Sequence, residues 1–172
     1  MRIDTLFRGV RALVVPAALI LTALSPAPAA QRWCTTVPIP SSACRPLTVS
    51  SAHATLRLAL AATEPQREHG LMDVPSVPAG EGMLFAFPDG DQPREFWMKN
   101  TITPLDMVFV DGNGVITSVA ARVPATAPGT SDANVARRSG VGTYVIELGS
   151  GSAARLGLAT GVRLTIPPVE AQ

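Results

Sequence analysis

The chain has 172 residues, 47% of them apolar, 5% aromatic and 16% charged, with a formal net charge of +1. That length suits one domain around a single core, and the apolar fraction excludes a wholly disordered polypeptide. The balanced charge, with no long basic run, argues against nucleic acid as a partner; two cysteines are too few for a disulfide-rich miniprotein or a four-thiolate zinc site.

Residues 1–29 read as a targeting segment rather than as fold. Arg2, Arg8 and Arg11 precede the apolar run Ala12 to Leu24, and Ala27-Pro28-Ala29 supplies a small-x-small cleavage pattern. The run is too short to span a bilayer comfortably, so the expectation is a cleaved signal peptide and a soluble periplasmic or secreted product, with no membrane association after cleavage. The alternative is an uncleaved anchor. Residues 30–51 form a Pro-, Ser- and Thr-rich arm without a clear period. Its two cysteines, Cys34 and Cys44, are expected to close a disulfide loop, because an even pair in an exported chain reads that way.

Residues 52–168 are expected to form one β-rich domain, followed by a tail at 169–172. Leu56, Leu58 and Leu60 alternate along Ala54 to Leu60, which predicts a half-buried strand. Thr63, Pro65 and Gln66 then make a capping-box start for a short helix that Gly70 can end. Met83 to Phe87 is a continuous apolar run and predicts a strand covered on both faces. Glu95 to Lys99 is a second strand-like run. Leu105 to Val110 and Val115 to Val123 flank Asp111-Gly-Asn-Gly114, a hairpin signal. Pro124 to Gly142 reads as a long irregular, lid-like loop. Tyr144 to Leu148 predicts a strand, Ser152 to Leu156 a short helix closed by Gly157, and Val162 to Ile166 a last strand. The class is therefore mainly β (α+β): a compact barrel-like or curled antiparallel sheet of about six or seven short strands with two short helices.

Candidate chemistry gathers at one segment. Thirteen of the fourteen basic residues are arginine, so Lys99, the single lysine, stands out. Strand alternation puts Phe96 and Met98 on one side and Trp97 and Lys99 on the other; if the first pair enters the core, the second shares the opposite face. Asn100 and Thr101 offer an amide and a hydroxyl at the strand end, and Asp106 returns a carboxylate seven residues after Lys99. In one reading Lys99 and Asp106 satisfy each other while Asn100 and Thr101 bond to turn backbone. In another, the cluster lines a pocket for a small polar or anionic ligand or a partner segment. A third gives Lys99 or Asp106 a catalytic role. His53 and His69 occupy no nucleophile context, and no metal or cofactor motif occurs. Glu147, between Ile146 and Leu148, either faces solvent or pairs with a base, Arg67 being a candidate.

Gly70-Leu-Met72, Gly82-Met-Leu-Phe85, Phe96-Trp-Met-Lys-Asn-Thr101, Pro104-Leu-Asp106 and Val145-Ile-Glu-Leu148 occur in this order. This arrangement resembles the bacterial and archaeal family called domain of unknown function 192, from about Leu56 to Ile166. The resemblance implies a small β-rich domain, often exported, with no activity or cofactor to carry over. Arg67, Gly70, Leu71, Met72, Trp97, Lys99, Asn100, Thr101, Pro104, Leu105 and Asp106 fall on signature positions. Asp73-Val74, Gly161-Val162 and the Pro124 to Gly142 loop depart from the family pattern.

The expectation is an exported binding or accessory domain using Trp97, Lys99, Asn100, Thr101, Asp106 and Arg67, binding rather than turning over its ligand. The alternatives are a hydrolase or carbohydrate-active enzyme using Lys99 and Asp106, and a purely structural or interaction domain.

Overall fold

The computed structural model describes residues 47–172. The expected leader and the Cys34–Cys44 disulfide lie outside them. Eight strands and two short helices occur in the order β1 (Leu47–Ser50), β2 (Thr55–Ala61), α1 (Glu64–His69), β3 (Glu81–Ala86), β4 (Gln92–Trp97), β5 (Leu105–Val110), β6 (Ile116–Val123), β7 (Arg137–Gly142), β8 (Tyr144–Gly149) and α2 (Ser152–Arg155). Six strands form one sheet in the order β1-β2-β3-β8-β5-β6, and β4 and β7 form a separate pair. The sheet is curled and mainly antiparallel, as expected, but it does not close into a barrel. Its β2–β3 pair is parallel, joined by a crossover through α1.

Each element follows from local chemistry. The α1 capping box forms, with the Gln66 side-chain oxygen accepting from the Ala62 and Thr63 backbone N–H groups. Gly70 ends the helix at φ 52°, a conformation that costs glycine little. In the β5–β6 hairpin, Asp111 Oδ1 accepts from Asn113 N and Val115 N while Gly114 takes φ 79°. Strands β3 and β5 are buried along their whole length. A central strand covered on both faces reads as an unbroken apolar run.

The large sheet separates two cores. Leu56, Leu58, Leu84, Val108, Ile146 and Leu148 face α2 and the C-terminal segment. Ala59, Met83, Phe85, Met107, Phe109 and Val145 face the β4–β7 pair and α1. Phe96 of β4 joins the two sheets: its ring meets Phe85 at 4.9 Å, Phe109 at 6.2 Å and Phe87 at 6.3 Å, all near perpendicular. Edge-to-face pairs of this kind add about 0.5–1.5 kcal/mol each beyond the area they bury.

Three expectations are corrected. The segment Pro124 to Gly142 is not one irregular loop: it contains a 3-10 turn at Asp132–Asn134 and then β7. Strand β7 carries no apolar alternation because its glycines, not its side chains, meet the core; a Cβ on Gly140 would stand 2.3 Å from the Phe109 ring. Val162 to Ile166 forms no strand. It makes isolated bridges to two different partners, Arg163 with Val115 and Thr165 with Ser50, so no ladder develops. Conversely, the end of the supposed arm is ordered, with β1 pairing to β2 over four residues.

Replacing Gly140 with alanine is therefore expected to lever β7 off Phe109. Thermal unfolding should show a loss of about 1–3 kcal/mol, the usual range for overpacking; an unchanged midpoint would refute the contact.

Candidate functional site

A cavity of about 220 Å³ opens between α1, β4 and the floor formed by β3 and β8. Helix α1 and the turn after it supply Glu64, Arg67, Glu68 and His69, then Leu71 and Met72. Phe85, Phe87, Phe96 and Trp97 make aromatic walls, and Glu95 and Thr101 also border it. Glu147 of β8 lies in the floor.

The sequence-derived candidates divide into three groups. Trp97, Thr101 and Arg67 line the cavity. Arg67 does not pair with Glu147, for which it was a candidate: its guanidinium donates to the carbonyls of Ala62, Ala86 and Gln172 and lies 5.2 Å from the Phe87 ring centre. Lys99 and Asn100 sit beside the cavity without lining it. Lys99 Nζ lies 4.9 Å from the Trp97 ring centre, as strand alternation requires, but its ion pair is with Asp132 at 3.1 Å. Both partners are substantially exposed, so that pair contributes little. Asn100 is a turn residue at φ 53°, its carbonyl accepting from Asp73 N, and Thr101 Oγ1 donates to the Lys99 carbonyl.

Asp106 belongs elsewhere, and the expected Lys99–Asp106 pair does not form. The residue is fully buried, opposite Leu148 on the face of the large sheet turned away from Trp97. Its carboxylate accepts from the backbone N–H groups of Arg122 at 2.8 Å, Gly151 at 3.0 Å and Ala153 at 2.8 Å. It fastens the start of α2 and the end of β6 to β5. No ligand can reach it.

Glu147 was the residue the sequence left open, and neither alternative holds. It is only 5% exposed, so it does not face bulk solvent. Among the described residues it has no hydrogen-bond or ion-pair partner. The strand register places it between Met83 on β3 and Met107 on β5, which offer no donor. Burial in this setting pushes its carboxyl up from the ordinary 4.5 to about 8. A second unsatisfied atom borders the same space: the buried His69 Nε2 has no partner. The available signal was an acid inside a strand whose neighbours are all buried, where it must point either into a core or into a cavity. Among the described residues no group of three or more histidines, cysteines or acids is placed to hold a metal ion. None of their helices is long and apolar enough to cross a membrane.

With this geometry in view, comparison with known proteins gives one family. Residues 46–166 match the model of DUF192, described as an uncharacterized ACR. The chain belongs to this family. Two crystal structures are similar to this DUF192 protein. One, called a "putative transcription regulator", is from Sinorhizobium meliloti 1021: it is 33% identical over 69% of this chain and 90% of that one, with a TM-score of 0.58. The other, a protein of unknown function from Novosphingobium aromaticivorans DSM 12444, is 29% identical over 70% and 83% of the two chains, with a TM-score of 0.57. No curated protein matches the DUF192 chain at a significant level.

Two outcomes are expected. Unfolded, Glu147 releases its proton near pH 4.5; folded, it holds it to about 8. The native state thus binds more protons across that window, and the sign of the linkage makes stability full below pH 4.5 and progressively lost toward pH 8. Melting curves between pH 5 and 8 should show this loss, on the order of a few kcal/mol, and Glu147→Gln should flatten it; identical slopes would exclude the assignment. Asp106→Ala strands one buried and two part-buried backbone N–H groups and should cost about 3 kcal/mol in chemical denaturation; an unchanged midpoint would exclude this fastening role.

Proposed function

We propose that this DUF192 protein is an exported binding module whose small ligand occupies the cavity between α1, β4 and β8. The observation that carries the proposal is Glu147: an acidic residue only 5% exposed, without a partner among the described residues, in the floor of a cavity walled by four aromatic side chains. A concave, mostly apolar space with a few convergent polar groups is the common form of a small-molecule site. Export is supported by the leader-like residues 1–29.

Of the small polar or anionic ligands the sequence suggested, the charge of the lining disfavours the anionic ones and favours a cationic or neutral one, since four glutamates face a single arginine. An enzyme built on Lys99 and Asp106 is disfavoured, because Asp106 lies on the far face of the sheet and is fully bonded. A carboxyl held near neutral pH also suits a general acid, which keeps a hydrolase using Glu147 as the second reading. A purely structural or interaction domain gains little support: only Ile102 and Val141 are exposed large hydrophobic residues among those described. Gene regulation by direct DNA reading gains no support either, as α1 and α2 have six and four residues, too short for a recognition helix.

A fragment screen by tryptophan fluorescence, in a Trp33→Phe background, tests the reading. Ligands of the cavity should perturb Trp97 emission and raise the melting temperature in proportion to occupancy. Lys99→Ala should retain both responses, whereas Trp97→Ala should weaken the thermal shift at least tenfold in apparent affinity. Loss of binding on Lys99→Ala with full retention on Trp97→Ala would move the site away from the cavity.

A further inference from the structure

We propose that the occupant of this cavity is a small organic ammonium ion, its charge met by the Glu147 carboxylate and its hydrocarbon by the aromatic walls. The proposal rests on the binding reading above and supplies its ligand class.

The unused hydrogen-bonding capacity of the lining is almost all acceptor. Arg67, the one guanidinium there, directs its donors to three backbone carbonyls. Thr101 Oγ1 gives its hydrogen to the Lys99 carbonyl, which leaves its lone pairs free. His69 Nε2 is buried without a partner and accepts when the proton is on Nδ1. Glu147 has two oxygens and no donor nearby. An ammonium group carries N–H donors and no acceptor, so it complements this set; a carboxylate or phosphate ligand reverses every contact.

Charge and size point the same way. Glu95 already pairs with Arg137 of β7 at 2.9 Å, whereas the charge of Glu147 is uncompensated. An ion pair formed away from water gains from the same low dielectric that makes the lone acid costly. Phe96 and Trp97 add ring surface, on which a cation is attracted to the π face. About 220 Å³ holds roughly seven waters, or an ammonium head with a few carbons.

Proton linkage gives the ligand a signature. The titratable and charged groups that share the cavity with Glu147 are Glu64, Arg67, Glu68 and His69 from α1 and Glu95 from β4. On β3, Glu81 lies one diagonal step from Glu147 and is paired with Arg57 of β2. β5 contributes only Met107 beside Glu147. A carboxyl that keeps its proton to about pH 8 must release it to meet a cation. Binding at pH 7 therefore expels close to one proton, and affinity rises more than tenfold between pH 6 and 8.

The full chain, labelled at its methionine methyls, is titrated by NMR with n-butylammonium, tetramethylammonium, 1-butanol and butyrate at pH 6 and 8. Met72 borders the cavity, and Met83 and Met107 flank Glu147, so their methyl signals locate the probe. Expected are shifts from the ammonium ions, more than tenfold tighter at pH 8, none from butyrate, and loss of ammonium binding in Glu147→Gln. Tetramethylammonium cannot titrate, so its pH dependence reports the protein and needs no variant to fold. Equal binding of 1-butanol and butylammonium, independent of pH, overturns the ammonium assignment and leaves the binding module standing. Silence of these methyls toward every probe here, together with an empty fragment screen, overturns both.

Discussion

Phe96 holds the molecule together as two sheets. Strands β4 and β7 bond as strands only to each other, and an isolated two-stranded ribbon is marginal in water. Its attachment therefore relies on side chains, and Phe96 contributes the central one, meeting rings from β3, from β5 and from the segment after β3. Close approach is possible on the β7 side because glycine backbone lies directly on Phe109. On the α1 side no such closeness is achieved, and the space left between β4, α1 and β8 is the cavity. The same docking that completes the core thus leaves a hollow at its edge.

Two buried carboxyls set that hollow apart from the rest of the scaffold. Asp106 on β5 and Glu147 on β8 belong to neighbouring strands but emerge on opposite faces. Asp106 is enclosed by three backbone N–H groups at a helix start and a strand end, all of which donate to its carboxyl oxygens. Glu147 stands among methionines whose backbone is committed to the ladder, and nothing among the described residues donates to it. One acid is part of the scaffold. The other opens onto the cavity.

Much of this was readable from residue order. The alternation of Leu56, Leu58 and Leu60, the apolar run at Met83 to Phe87 and the Asp-Gly-Asn-Gly turn each translate into local structure because their signals are local. Strand β7 was illegible for a physical reason: Arg-Arg-Ser-Gly-Val-Gly shows no period because its packing is made by backbone against a ring, which side-chain patterns do not record. The misread last strand has the opposite fault, since Val162 to Ile166 carries an alternating pattern but finds two short partners instead of one long one. For the site, alternation placed Trp97 and Lys99 side by side correctly. It could not place Asp106 relative to them, because whether the returning strand presents its acid to the near or the far face depends on the turn from Asn100 to Pro104. Glu147 was conspicuous as an acid in an apolar strand, yet its partnerless state needed both neighbouring strands, β3 and β5, in register before it could be seen.

A chain gains stability at neutral pH by replacing an unpaired buried acid with an apolar residue of similar size. Retaining Glu147 therefore ties three quantities together: occupancy of the cavity, protonation of the carboxyl, and resistance to unfolding. Empty and protonated, the site is quiet but lacks its charge. Raising the pH ionises it and strains the fold until a cation arrives, at which point the destabilisation and the binding energy offset each other. On the proposed reading, such a site takes up a cation as the pH rises and releases it as the pH falls. The chemistry needs one carboxyl, one cavity, and the absence of a neighbouring donor.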